Sequence, residues 1–330
     1  VIILKTLKAI FIPLIFAIFL SFLFAPLIKA LSRKKIPAFV TIILMFIIIF
    51  VFFALAGGVI FAAITSFVNE FPKYQQMLGQ MIEETHQNIQ YSASRANLAL
   101  GEVPFFDFSE LFSSTGFSLS KILSGTMGTF IDFGINLFLT MIFLMFLVAG
   151  TGKLEKRVKK VFSEEDNVKT LATMLSIQTQ IQRYFFNKTL ISLGTALTGM
   201  IFLIIFKVDF IIVTGILLFT LNFIPNIGSI IASAFPVLIS LAQYGFNWRV
   251  AGVALGMALT QMFFANILEP KVMGEKLNIT PIMILISLIF WGWVWGIVGM
   301  MIAVPVTSAI NIILKHFDEK NIVSAIISDT

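Results

Sequence analysis

From Pro37 to Ser66 the chain carries no charged side chain, and that run constrains the fold more than any other feature. A helix needs roughly 20 apolar residues to cross the hydrocarbon core of a bilayer. No water is available there to backbone N–H and C=O groups, so such a segment must pair them internally. Six more apolar segments obey the same logic, at 9–28, 127–149, 184–206, 210–243, 250–268 and 280–314. Together they predict an all-α, polytopic transmembrane helix bundle. Composition agrees: 58% of the 330 residues are hydrophobic and only 12% charged, where soluble domains carry about 25% charge. Cysteine is absent, which removes disulfides and thiolate metal or redox chemistry from consideration. The first residue is Val, and a further helix is expected ahead of it.

Charge sets topology. Lys29, Arg33, Lys34 and Lys35 follow the first span, and Lys153, Lys156, Arg157, Lys159 and Lys160 follow the third. The clusters are two crossings apart, so they share a side, and the bias of Lys and Arg makes that side the cytoplasm. Residues 69–125 lie between them with six acids against three basic residues, a net of −3. They are expected outside, with Leu78, Ile82 and Ile89 on one face of a short amphipathic helix. The basic run at 153–160 suits anionic lipid headgroups, and no nucleic-acid partner is expected. The organisation expected is N-terminal transmembrane helices (1–68), an extracytoplasmic helical segment (69–125), a transmembrane helix (126–150), a basic cytoplasmic linker helix (151–183), a transport core (184–314) and a cytoplasmic tail (315–330).

The core reads as a helix plus a broken hairpin, twice, at 184–243 and 247–314. LGTALTGMIF at 193–202 and LGMALTQMFF at 255–264 share Leu, Gly, Ala, Leu, Thr, Met and Phe at a constant offset. FTLNFIPNIGSIIASAFP at 219–236 places Pro225, Gly228 and two asparagines inside an apolar stretch, and WGWVWGIVGMMIAVP at 291–305 is disrupted likewise. Proline removes a backbone donor and glycine loosens the helix, so freed carbonyls must face protein or a watery cavity. If each hairpin enters and leaves on one side, the two units form an inverted repeat whose breaks meet near the midplane, as transporters build their sites.

Catalytic signatures are missing: the sequence has no HExxH, Gly-x-Ser-x-Gly, Walker A or dinucleotide-binding run, so no enzyme, metal or cofactor is expected. His86 and His316 lie outside the expected spans. The candidates are therefore polar groups within apolar segments. Asn222 and Asn226 flank Pro225 and either offer amides to a solute or satisfy the broken backbone. Glu269, after Asn266 in NILEPKVMG, is either an ion- or proton-coupling group or a solvated helix end paired with Lys271. Asp132 either carries a proton or cation or caps the outer boundary, four residues before Asn136. Trp291, Trp293 and Trp295 form an aromatic belt or line a pathway. Gly194, Thr198, Gly252 and Gly256 are expected to let helices pack closely.

These residues resemble the autoinducer-2 exporter family of bacterial membrane proteins. The likeness runs along nearly the whole chain, through FLFAPLIKAL, IQRYFFNKTLISLG and LNFIPNIGSIIASAFP. It is strongest in LEPKVMGEKLNITPIMILISLIFWGWVWGIVGMMIAVPVTSAINIILK. Pro225, Gly228, Pro270, Gly274, Pro281, Trp291, Gly292, Gly296, Gly299 and Pro305 carry over by motif. Asn226 departs from the aromatic residue usual after the hairpin proline. The resemblance implies a gradient-driven or facilitative carrier that exports a small polar solute and serves quorum sensing, and a homo-oligomer, in particular a pentamer. It also leaves open a sodium (or lithium)–proton antiporter, with Glu269 or Asp132 titrating and a monovalent cation as cargo. A non-transporting scaffold is the reading of another class, though a scaffold needs no backbone breaks at depth.

Overall fold

The computed structural model describes residues 2–34, 36, 38–95, 132–150, 164–273 and 279–317. Every element among them is helical: α1 Ile2–Thr6, α2 Lys8–Arg33 and α3 Ala38–Arg95, then α4 Asp132–Gly150. They continue with α5 Glu164–Phe206, α6 Ile211–Leu221, α7 Ile227–Tyr244 and α8 Trp248–Gln261. A π-helix over Met262–Leu268, α9 Glu269–Met273 and α10 Pro281–Phe317 complete the chain. Seven of these segments are long and apolar enough to cross a membrane. The polytopic all-α bundle expected from the sequence is therefore present.

Two helices run longer than the sequence pattern implies. Helix α3 extends for 58 residues through Pro72 to Arg95, so the stretch holding Leu78, Ile82 and Ile89 continues a span rather than forming a helix of its own. Helix α5 runs for 43 residues through position 184, because no glycine or proline falls between Glu164 and Leu193 to end it. The remainder of the acidic 69–125 segment, from residue 96, lies outside the described residues, as do the basic run at 153–160, Gly274 and the tail from 318.

The chain divides into two compact units. One contains residues 1–54, 131–191 and 264–330, and the other residues 55–130 and 192–263. In the first, Ala17, Met45, Ile49, Met141, Leu144 and Val148 form an apolar core between α2, α3 and α4. In the second, Leu203, Leu218, Ala232, Val253 and Met257 are buried together with Tyr74. Here small residues face large ones. Carbon added at Gly199 would strike Leu218, and carbon at Gly215 would strike Met200, so α5 and α6 interlock in both directions. Gly252 and Gly256 take the rings of Phe206 and Phe202, which is the close packing expected of them. Outward faces are apolar: Phe52, Leu55, Phe146 and Ile289 are each more than 60% exposed, as lipid contact requires.

Helix α6, with 11 residues, is only about 16 Å long at 1.5 Å per residue, far short of a roughly 30 Å hydrocarbon core. The chain then turns at 222–226 and returns as α7. The end of α7 closes onto the turn before α6: Tyr244 Oη donates to the Lys207 carbonyl at 2.6 Å and Gln243 Oε1 accepts from the Asp209 amide at 3.1 Å. Tyr74 donates to the Asp209 carboxylate and ties α3 to the same turn.

Helix α10 also reverses. Gly296 has φ 66° and ψ −145°, a conformation essentially confined to glycine. Thr307 Oγ1 donates to Ser287 Oγ at 2.9 Å although 20 residues separate them. In a straight helix that separation would be about 30 Å, so residues 281–295 and 297–317 are two arms folded against each other.

The two reversals share a detail. A side-chain carbon at Gly228 would lie 1.8 Å from the Leu221 carbonyl oxygen, and one at Gly299 would lie 1.9 Å from the Trp291 carbonyl oxygen. Both contacts are with backbone, which cannot swing aside. Gly228→Ala and Gly299→Ala should each lower stability by about 1–3 kcal/mol, read as an earlier thermal unfolding midpoint in detergent. Gly58 in α3 has nothing within 4 Å of its added carbon, so Gly58→Ala should be neutral or stabilise by up to about 1 kcal/mol.

Candidate functional site

At the α6–α7 reversal the two asparagines have different fates. Asn222 is buried, 4% exposed, and its amide nitrogen donates to Ser192 Oγ on α5 at 3.1 Å. That amide secures the break. Asn226 is exposed and its side chain caps nothing. Its backbone, at φ 60° and ψ −60°, sits at the centre of a γ-turn in which the Ile227 amide donates to the Pro225 carbonyl at 2.7 Å. This form of γ-turn is rare and strained, and a non-glycine residue at positive φ costs on the order of 1–3 kcal/mol. Asparagine tolerates it better than most residues. The Asn226 carbonyl accepts from Ser229 Oγ at 2.9 Å. The amide is thus held out from a fixed, strained turn, exposed and making no cap bond.

Polar groups also gather near the start of α7 and the end of α8. Gln261 Nε2 donates to Ser233 Oγ at 3.0 Å, while Gln261 Oε1 is buried with no partner among the described residues. The π-helix begins at the next residue. Such wide turns recur at functional sites, and this one shifts the phase between the face bearing Gln261 and the one bearing Glu269.

Glu269 pairs with Lys188 and not with Lys271. Lys188 Nζ donates to Glu269 Oε1 at 2.6 Å, with the lysine side chain 3% exposed and the glutamate 24%. Nearby, Asn187 Nδ2 donates to the Val272 carbonyl at 3.2 Å, a second bond that fastens α5 to α9 beside the pair. The sequence reading missed Lys188, and the signal for it was present. Gln180, Tyr184, Lys188, Ser192 and Thr195 recur every three or four residues along α5, and all but half-buried Gln180 are buried. A polar stripe turned inward on an apolar helix is the reverse of a soluble amphipathic helix.

The other candidates scatter. Asp132 is exposed at the start of α4, where its carbonyl accepts from Asn136 Nδ2 at 2.7 Å. Asn266 and Pro270 are exposed. Trp291 and Trp295 are buried against each other with ring centroids 4.8 Å apart, and Trp295 Nε1 donates to the Leu4 carbonyl at 3.0 Å. Of the three, only Trp293 faces outward, 59% exposed, beneath the Lys5 ammonium. Gly292 receives Met300 from the opposite arm, Gly296 is exposed at the reversal, and Pro305 is buried in the returning arm. Among the described residues no three His, Asp or Glu side chains converge on a point that could hold a metal ion.

Apolar outer faces, buried polar stripes and helices reversed within apolar segments define a multi-pass membrane protein of the transporter class. The chain belongs to the AI-2E transporter family, whose model matches residues 1–319. A protein of Borreliella burgdorferi, named by inference as a transport protein, is 31% identical over 313 residues, covering 94% of this chain and 83% of its own. A similarly named protein of Haemophilus influenzae is 31% identical over 317 residues, with 94% and 88% covered. The AI-2 transport protein TqsA of Escherichia coli is 28% identical over 323 residues, with 97% and 90% covered. The chain is thus a bacterial membrane transport protein.

The unequal burial of the ion pair yields a directional prediction. Glu269→Gln strands a buried ammonium and should cost about 3 kcal/mol, whereas Lys188→Met leaves a carboxylate that can reach solvent and should cost about 1 kcal/mol. Lys188→Met/Glu269→Gln should lie near the wild type, because no unpaired charge remains. Thermal unfolding of the three variants in one detergent measures this order.

Proposed function

We propose that this chain is a gradient-driven or facilitative carrier that exports a small polar solute resembling autoinducer-2 by alternating access. The observation that carries the reading is the pair of reversals at 222–226 and Gly296, each closed by a glycine against a backbone carbonyl. Transporters place substrate sites at such interruptions. The repeated sequences at 193–202 and 255–264 support treating 184–243 and 247–314 as helix-plus-hairpin units of opposite topology, with hairpins that re-enter from one side.

In this reading Asn226 contacts the solute directly. Asn222, Pro225, Gly228, Gly292, Gly296, Gly299 and Pro305 shape the two reversals. Asn266, Glu269, Pro270 and Gly274 border the pathway, and Trp291 forms part of its packed wall. The C-terminus is cytoplasmic, residues 69–125 are extracytoplasmic, and the protein works as a homo-oligomer, a pentamer by family likeness. The AI-2 transport name of TqsA supports the choice of solute. Two observations weigh against a cation–proton antiporter: Glu269 is already neutralised by Lys188, and Asp132 is exposed at a helix start.

Uptake of autoinducer-2 into proteoliposomes, with proton or sodium gradients imposed in turn, tests the proposal. The expected result is saturable uptake that falls at least about tenfold in Asn226→Ala, the loss of one well-placed hydrogen bond. Uptake that Asn226→Ala leaves unchanged would remove the hairpin tip from the pathway. Sodium-driven proton flux without solute uptake would establish the antiporter instead.

A further inference from the structure

The unit formed by residues 1–54, 131–191 and 264–330 holds a second set of polar groups whose bonding capacity is only partly used. Lys188 has three N–H donors, and its bond among the described residues is the one to Glu269. At 3% exposure, bulk water does not serve the other two. One turn earlier on α5, Tyr184 is buried and its hydroxyl has no partner among the described residues. It shares with Lys188 the buried face of α5. Glu269 is the most accessible member of the trio, at 24% exposure, so its second oxygen can be reached. A buried hydroxyl left unbonded destabilises the fold, and phenylalanine would not incur that cost.

We propose that Lys188, Glu269 and Tyr184 form a binding site for an uncharged solute bearing adjacent hydroxyl groups. The ligand hydroxyls accept from Lys188 Nζ and Tyr184 Oη and donate to Glu269 Oε2. Charge selects the ligand class. The ion pair is neutral as a whole, so an anion meets the repulsion of Glu269 and a cation that of Lys188, each at short range and out of water. A hydroxyl both donates and accepts, and adjacent hydroxyls satisfy an acceptor and two donors without adding charge. The π-helix that ends at Leu268 and the Asn187–Val272 bond fix the carboxylate's position. This inference rests on the carrier reading and extends it, by naming the chemistry of the solute and residues, Lys188 and Tyr184, that the hairpin tip does not supply.

The test uses the full chain purified in detergent and follows its thermal midpoint against ligand concentration, since a ligand bound only by the folded state raises stability with its concentration. Erythritol serves as a neutral four-carbon polyol, with butyrate and butylammonium as charged probes of the same chain length. The expected result is a saturable rise with erythritol alone. In Tyr184→Phe the unliganded midpoint should rise because an unbonded hydroxyl is gone, while apparent erythritol affinity falls at least about fivefold. Lys188→Met/Glu269→Gln should fold and show no response. A purely structural role for the three residues predicts the same gain in Tyr184→Phe with no change in ligand response. No erythritol response in the wild type, an equal response in both variants, or a larger response to either charged probe would overturn the proposal. Erythritol binding in a protein that transports no solute would refute the carrier reading and leave this site standing.

Discussion

The reversals of this chain depend on two backbone carbonyls that leave no space for a side chain. The Leu221 oxygen lies where a carbon on residue 228 would sit, and the Trp291 oxygen where a carbon on residue 299 would sit. Each helix can turn back within an apolar segment only because glycine occupies the facing position. At the first reversal the freed groups are met locally: the Ile224 amide donates to the Leu221 carbonyl at 2.8 Å and the Gly228 amide to the Ile224 carbonyl at 3.2 Å. Asn222 adds a side-chain bond to α5. A turn satisfied in this way can exist at a depth where unmet backbone groups are excluded, and Asn226 is left with an amide it does not need for folding.

Apolar side chains cover the outside and polar ones are concentrated within, so the interior is where specificity resides. The stripe from Gln180 to Thr195 on α5 faces inward, and its members bond to several elements: Lys188 to Glu269, Ser192 to Asn222 and Gln180 to Ser308. Contacts of this kind hold helices in register where apolar packing alone discriminates weakly against lipid. Where two polar side chains meet each other, as at Ser192 and Asn222, the groups are structural. Where it is partial, as at Tyr184 and Gln261, capacity remains for a ligand.

The spans were legible from the sequence because uninterrupted apolar runs such as 37–66 admit few folds. The first break was legible from Pro225 and Gly228, and the second from the clustered glycines at 292–299. Lengths were less so. Helix α3 continues past Glu70 because Pro72 does not break it, and α5 continues through 184 because nothing there stops it. The pairing of Glu269 was hidden for a different reason. Periodicity marks Lys188 as an inward-facing residue of α5 but does not say what it meets 81 residues away, so the nearby Lys271 stood as the expected partner. The tryptophans illustrate the same limit: their alternation with glycine does not reveal that Trp291 and Trp295 turn inward while Trp293 turns out.

Because the chain contains no cysteine, a single thiol introduced at Asn226→Cys can report on the hairpin tip without background. The decisive measurement is the rate at which a membrane-impermeant thiol reagent modifies that position in proteoliposomes, with and without autoinducer-2. If the tip lines the transport pathway, modification should slow at least about fivefold as solute is added, and the slowing should saturate. A rate indifferent to solute at every concentration, with the position still reactive, would place Asn226 outside the pathway and contradict the account.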